Sequence, residues 1–217
     1  MKMDGKTVLI TGSTDGVGRY VAGQLAAAGA RVLIHGRDQA RAKNLADEIR
    51  RQGHAEPTFY LADLSSLAGL LLPALKAAAP SRIVNVASFG QHPIDFDDVM
   101  ITRGYNGGRA YSQSKLAQIM FTIDLANELK GSDVTVNSLH PATYMNTTMV
   151  RQGGITPIST VEQGGAAILH LATGDDVAGR SGLFFNGMYE AQANPQAYDV
   201  TARKKLRAIS LELTGLG

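Results

Sequence analysis

The sequence predicts an α/β chain in three layers, a doubly wound parallel sheet flanked by helices. Three observations predict it. Short β-branched, apolar runs alternate with stretches of helical spacing almost throughout. The runs are near-continuously apolar, as strands buried on both faces require. The 24 glycines cluster rather than scatter.

Composition narrows the class further. The 217 residues are 44% hydrophobic and 18% charged, enough for one sizeable core, so a single domain over residues 1–217 is expected. A net charge of +2 creates no field that calls for a polyanion, and no nucleic-acid motif is present. The absence of cysteine excludes disulfides, thiolate metal sites and a cysteine nucleophile. The longest apolar tract, residues 67–80, is broken by Pro73 and Lys76 and is too short to span a bilayer. Residues 1–6 run straight into a strand without a secretory apolar region, so a cytoplasmic location is expected.

Residues 7–11 (TVLIT) read as the first strand, and residues 17–28 as a helix stopped by Gly29. Residues 31–35 (RVLIH) are the second strand, and Asp38 caps a helix that continues to about Gln52. A third strand covers 58–61, a helix 65–79 and a fourth strand 82–86. After a polar stretch, 88–109, the longest amphipathic helix runs over 110–130 and stops at Gly131. Residues 134–139 form a fifth strand, 160–172 a helix and 182–185 a sixth strand.

Thr11-Gly12-Ser13-Thr14-Asp15-Gly16-Val17-Gly18 lies between the first strand and the first helix. Glycines let the backbone turn sharply and approach a pyrophosphate, and the helix N-terminus adds N–H groups and a positive dipole end. A glycine triplet is weak evidence alone; after the first strand of an alternating chain it indicates a dinucleotide. An acidic residue ending the second strand would favour NAD(H). The chain has His35-Gly36-Arg37 there, and a guanidinium can fork onto a 2′-phosphate, so NADP(H) is favoured over NAD(H). The rival reading of Arg37 is a solvated loop residue.

Tyr111-Ser112-Gln113-Ser114-Lys115 opens the long helix, and a spacing of four puts Tyr111 and Lys115 on one face. A nearby ammonium lowers a phenol's pKa and makes tyrosine a usable acid/base. Alone, the pair is common. Together with the glycine turn and Ser88 at a strand end, the chain resembles the short-chain dehydrogenase/reductase family, whose sheet is of the Rossmann type. Its wording is most similar to the retinol-dehydrogenase-like branch. Asp63-Leu64 matches the family's adenine-side pair, and residues 137–141 with Thr147 resemble the segment over nicotinamide. Ala142 follows Pro141 where the family usually has glycine.

The resemblance implies hydride transfer between an alcohol and a ketone or aldehyde. Tyr111 is the implied acid/base, Lys115 its partner and a ribose ligand, and Ser88 the hydrogen bond to the substrate oxygen. Gly12, Ser13, Thr14, Asp15, Gly16, Val17, Gly18, Arg37, Asp63, Leu64, Tyr111, Lys115, Pro141 and Thr147 are the implied cofactor contacts. No metal is expected: His35, His54, His92, His140 and His170 show no paired ligand spacing.

The family pattern fails between Asp63 and Arg82, where relatives carry a helix, a central strand and a further helix. Residues 64–81 suffice for one helix, and the join falls near 66–70. Either the segment is truly absent or residues of the protein went unobserved. The second is favoured, because losing a central strand leaves its neighbours roughly 9–10 Å apart with backbone groups unmatched. True absence would favour the alternative function, a catalytically weak nucleotide-binding or regulatory protein of this fold.

The substrate region is placed at about residues 142–217. Tyr144, Met145, Met149, Val150 and Ile155 suggest either a lid with an apolar inner face or a surface excursion packed on the core. A hydrophobic carbonyl or alcohol is the expected substrate, and a homodimer or homotetramer is compatible with the family. Residues 194–213 form a basic helix with Arg203, Lys204, Lys205 and Arg207, read as solvated or dimer-facing, with membrane-surface binding as the sharper alternative.

Overall fold

Strand and helix alternate in the computed structural model, which describes residues 2–36, 38–61 and 67–215. In chain order these are β1 (Thr7–Ile10), α1 (Gly16–Ala27), β2 (Arg31–Gly36), α2 (Gln39–Arg51), β3 (Thr58–Leu61), α3 (Leu67–Ala77) and β4 (Ser81–Val86). Then come α4 (Gly107–Glu128), β5 (Val134–His140), α5 (Thr148–Gln152), α6 (Val161–Thr173), β6 (Phe184–Asn186), β7 (Tyr189–Ala191) and α7 (Val200–Thr214). Among the described residues no helix is long and apolar enough to cross a membrane.

The chain divides into two compact units. The first joins Met1–Leu67 to Ala142–Leu169 and holds the parallel sheet β1-β2-β3. Its middle strand, β2, buries Val32 and Ile34, whereas Val8, Leu9 and Ile10 of the edge strand β1 are only half-buried. The apolar stripes of α1 (Val21, Ala22, Leu25, Ala26) and α2 (Ala42, Leu45, Ala46, Ile49) recur at helical spacing and are buried. Asp38 caps α2 by accepting from Arg41 N at 3.0 Å, and Gly29, at φ +94°, ends α1 in the conformation that favours glycine.

The second unit joins Ala68–Pro141 to His170–Gly217. Its sheet has the order β4-β5-β6-β7; β4, β5 and β6 are parallel, and β7 returns antiparallel to β6. Among the described residues that last strand makes seven, against the expected six. The two-residue connection is Gly187-Met188, with Gly187 at the first central position and φ +60°. On one side of α4, Leu116, Ile119 and Met120 pack with Phe184, Ala197 and Ala202; Leu125 and Leu129 pack with Val134 and Val136.

The expected basic helix begins later than its pattern, because Pro195–Tyr198 forms a 3-10 turn and Asp199 caps α7. Its cations are not simply solvated. Arg203 is buried, bonded to Asp124 Oδ1 at 2.7 Å and to the Ala197 carbonyl at 2.9 Å. Arg207 pairs with Glu128, and Lys205 Nζ lies 5.0 Å from the Phe96 ring centroid.

The explanation favoured for the short tract does not hold. Residues 61 to 81 are consecutive in the chain, so the shortfall belongs to the sequence. The predicted join at 66–70 falls partly outside the described residues. β1 and β4 each stand at an edge of their own sheet, so the strand pairs of β1 are those with β2.

The long connection between β4 and α4 is organised by carboxylates. Asp98 accepts from Thr102 N and Oγ1, both at 2.8 Å, and from Arg103 N at 2.9 Å. This clamps Ile101, a β-branched residue at φ +52°. Arg109, in the first turn of α4, bonds Asp95 at 2.7 Å. The N–H of Arg103 first, then that of Thr102, lowers the Asp98 carboxyl to about 2. Its unfolded value is about 3.9, so the stabilisation is present above about pH 4 and lost as pH falls toward 2. Asp98→Asn is expected to lower the thermal midpoint at pH 7, with the gap from wild type closing between about pH 4 and pH 2. A gap that stays constant across that range in calorimetry rules the clamp out.

Candidate functional site

In the first unit the glycine turn is built by close approach. A Cβ on Gly18 would lie 2.4 Å from the Gly12 carbonyl oxygen and 3.1 Å from Ser13 Cα, both backbone atoms. Gly12 and Gly16 have φ of +65° and +52°. Buried Ser13 straps the turn to the end of β2: its N–H donates to the His35 carbonyl at 3.1 Å, and its Oγ accepts from His35 N at 3.0 Å. Asp15 caps α1, accepting from Gly16 N at 2.8 Å. A turn that only glycine can make, ending on a helix N-terminus, fits a dinucleotide pyrophosphate.

Thr147 joins this turn, its Cγ2 standing 3.3 Å from where a Gly16 Cβ would be. The Thr148 hydroxyl reaches Asp15 Oδ1 at 3.4 Å, and Arg41 Nη1 reaches Asp15 Oδ2 at 3.3 Å. Thr14, Asp15, Arg19, Arg41, Asn44 and Thr148 line a cleft of about 490 Å³. The sequence reading missed Arg19 and Arg41. The available signal was a pair of guanidiniums, one on the first turn of α1 and one on the first turn of α2. Arg37, Asp63 and Leu64, predicted to contact the adenosine half, lie outside the described residues.

The segment expected to be either a lid or a surface excursion packed on the core is mixed. Val150 is buried, and Met145 sits so close to α6 that a Cβ on Gly164 would meet its Sδ at 2.1 Å. Tyr144, Met149 and Ile155 are exposed, Tyr144 at φ +43°.

In the second unit Ser88 follows β4, Pro141 follows β5, and Tyr111 and Lys115 share a face of α4. Ala87 N donates to the Leu139 carbonyl at 2.8 Å, extending the β4–β5 pairing to the residue before Ser88. Lys115 Nζ donates to the Val86 carbonyl at 3.2 Å and to Gln118 Oε1 at 3.4 Å. This contact fastens α4 to the end of β4 two residues before Ser88. Lys115 Nζ is 5.6 Å from the Tyr111 ring centroid, and its burial lowers the ammonium's pKa. Ser88 is buried, with Oγ accepting from Gly90 N at 3.1 Å; Tyr111 is exposed. Burial also lowers the pKa of His140, at the end of β5.

The family description "short chain dehydrogenase" matches residues 6–70 and 65–155. The two stretches meet where the sequence reading placed the join. Retinol dehydrogenase 14 of Homo sapiens is 32% identical over 295 aligned positions, covering 99% of this chain and 88% of the relative. Those 295 positions exceed the chain's 217 residues, so at least 78 (295 − 217) are gaps on its side. Among solved structures, an uncharacterized protein from Mycobacterium Paratuberculosis superposes with a TM-score of 0.74 at 23% identity, covering 99% of this chain and 95% of that one. The Pseudomonas aeruginosa RhlG/NADP complex gives 0.67 at 22% identity, covering 85% and 95%. These two show the fold.

Gly18→Ala is expected to weaken dinucleotide binding at least tenfold in a fluorescence titration, since the added methyl meets backbone that cannot swing aside. Gly23→Ala, in the same helix with nothing within 4 Å of the new Cβ, is expected to bind normally and gain about 0.5–1 kcal/mol of stability. Equal affinities for the two variants would remove the close-approach argument.

Proposed function

The chain belongs to the short-chain dehydrogenase family, and on that premise we propose that it is an NADP(H)-dependent oxidoreductase interconverting an alcohol and a ketone or aldehyde. The observation that carries the reading is the Lys115 ammonium, fixed to the Val86 carbonyl beside Ser88 while standing near the Tyr111 ring.

A bound nicotinamide dinucleotide supplies the hydride donor and acceptor. In the reductive direction Tyr111 Oη gives its proton to the substrate oxygen, and in the oxidative direction it takes that proton back. Lys115 stands beside this tyrosine, its Nζ 5.6 Å from the ring centroid. Two of its three donors are engaged by Val86 and Gln118, leaving one for a ribose hydroxyl. Ser88 Oγ accepts from Gly90 N, which leaves its own hydrogen for the substrate oxygen.

The turn from Gly12 through Gly18 holds the pyrophosphate. Arg37 would take the 2′-phosphate, and Arg41, four residues later and lining the cleft by the turn, supports the preference for NADP(H). By the family resemblance Asp63 and Leu64 would hold adenine, and Pro141 and Thr147 are the residues it would assign to nicotinamide. The substrate is hydrophobic, in keeping with relatives named for retinol. A cytoplasmic location and a homodimer or homotetramer belong to the same proposal.

A second reading, a catalytically weak nucleotide-binding protein, is favoured by the gap of at least 78 positions against Retinol dehydrogenase 14. Turnover separates the two. Tyr111→Phe is expected to lower kcat by about 10²–10⁴-fold with dinucleotide affinity retained; full activity in that variant would sink the enzyme reading. Wild-type protein that binds dinucleotide yet turns over no carbonyl or alcohol establishes the second reading. Arg37→Ala is expected to lower the NADP/NAD affinity ratio at least tenfold, and an unchanged ratio removes the basis for the cofactor preference.

A further inference from the structure

Phe89 follows Ser88 directly, and its ring is half in the core and half out. Its exposure is 55%. Its inner side rests on two buried rings: His140 at a centroid distance of 6.1 Å and an angle of 55°, and Phe184 at 6.4 Å and 32°. A lone exposed aromatic asks for no explanation. This one is held in place by a rigid strip of chain that also borders Tyr111.

Five hydrogen bonds fix that strip. Gly90 N donates to Ser88 Oγ at 3.1 Å, and Gln91 Nε2 to the Ser88 carbonyl at 2.9 Å. Gln91 Oε1 accepts from Asn194 N at 2.7 Å. His92 N donates to the Ser112 carbonyl at 3.3 Å, and Gln113 Nε2 to the Pro93 carbonyl at 2.6 Å. Ser112 and Gln113 are the two residues after Tyr111, so the strip after Ser88 is bonded to the helical turn that carries the tyrosine. Phe89 therefore stands at the carboxyl end of the parallel strands β4 and β5, where α/β sheets receive ligands. The ring meets His140 and Phe184 at tilted angles and leaves about half of its surface exposed.

We propose that Phe89 is the specificity-determining wall of the substrate site. Its outer face lies against a flat apolar group next to the reacting carbon, while Ser88 Oγ holds the oxygen. The substrate class is then alcohols and carbonyls bearing an aromatic or conjugated substituent, which stack on a ring better than a short alkyl chain does. This rests on the oxidoreductase reading above and deepens it.

The test compares trans-cinnamaldehyde with propanal in wild type, Phe89→Ala and Phe89→Tyr. The ratio of kcat/KM for cinnamaldehyde over propanal is expected to fall at least tenfold in Phe89→Ala, mostly through KM, and to be restored in Phe89→Tyr. Equal losses on both substrates would mark a merely structural ring and overturn the proposal. If Phe89→Ala does not fold, Phe89→Leu carries the comparison, with an intermediate ratio expected. Calorimetric binding of cinnamyl alcohol is the readout that needs no turnover. Weaker binding in Phe89→Ala with no turnover by wild type leaves the wall standing and removes the oxidoreductase reading. Binding indifferent to residue 89 overturns the wall whatever the activity.

Discussion

A single ammonium–carbonyl hydrogen bond, Lys115 Nζ to Val86 at 3.2 Å, ties the longest helix to the end of β4, and the candidate catalytic geometry depends on it. A parallel strand leaves its last carbonyls and the residues after them at the sheet's carboxyl end. A helix crossing there can offer a side chain to them without disturbing the ladder. Lys115 does this from one turn beyond Tyr111, so one contact sets the tyrosine face of α4 against the residue pair before Ser88. Burying the ammonium has a cost; the carbonyl and Gln118 offset it by supplying acceptors. The connection from Ser88 to Asn106 is long and has no helix or strand. It holds its shape because Asp98 and Asp95 draw in its backbone and Arg109.

Local pattern made most of this legible. The strand β3 has the predicted bounds, and β1, β2, β4 and β5 differ from theirs by a residue, since β-branched runs between turn residues leave few alternatives. The glycine turn was readable because its positions have no substitute once Gly18 lies against the Gly12 carbonyl. Less legible were features set by partners distant in sequence. Nothing near Arg203 announces that Asp124 and the Ala197 carbonyl will bury it. Likewise, Phe89 reads as an ordinary loop aromatic until His140 and Phe184 are seen beneath it. The short strand β7 was missed for a different reason. Three residues carry no measurable periodicity, and only Gly187 marked the turn.

The tract between β3 and β4 leaves its signature in burial. β1 reads Thr-Val-Leu-Ile, the composition of a strand covered on both faces, yet it is half-buried at the edge of its sheet. Every residue of β4 is likewise half-buried, while its neighbour β5 is buried almost throughout. Edge strands are commonly blunted by prolines, lysines or bulges, and β1 has none of these. β1 therefore has the composition of an interior strand in an edge position. The alignment to Retinol dehydrogenase 14 carries at least 78 positions with no counterpart in this chain.

Whether such a loss disables the chemistry depends on how each part of the site is held. The glycine turn is fixed by β2 through Ser13 and His35, and by Thr147 at Gly16. All of these lie within the first unit. Ser88, Tyr111 and Lys115 are fixed by the pairing of β4 with β5 and by the bond to Val86, all within the second. None of those contacts passes through residues 62–66. Each cluster therefore keeps its local geometry for reasons internal to its own unit. The edges at β1 and β4 carry the cost of the shortened tract. A protein built this way loses stability and backbone pairing before it loses the arrangement of its candidate acid/base group.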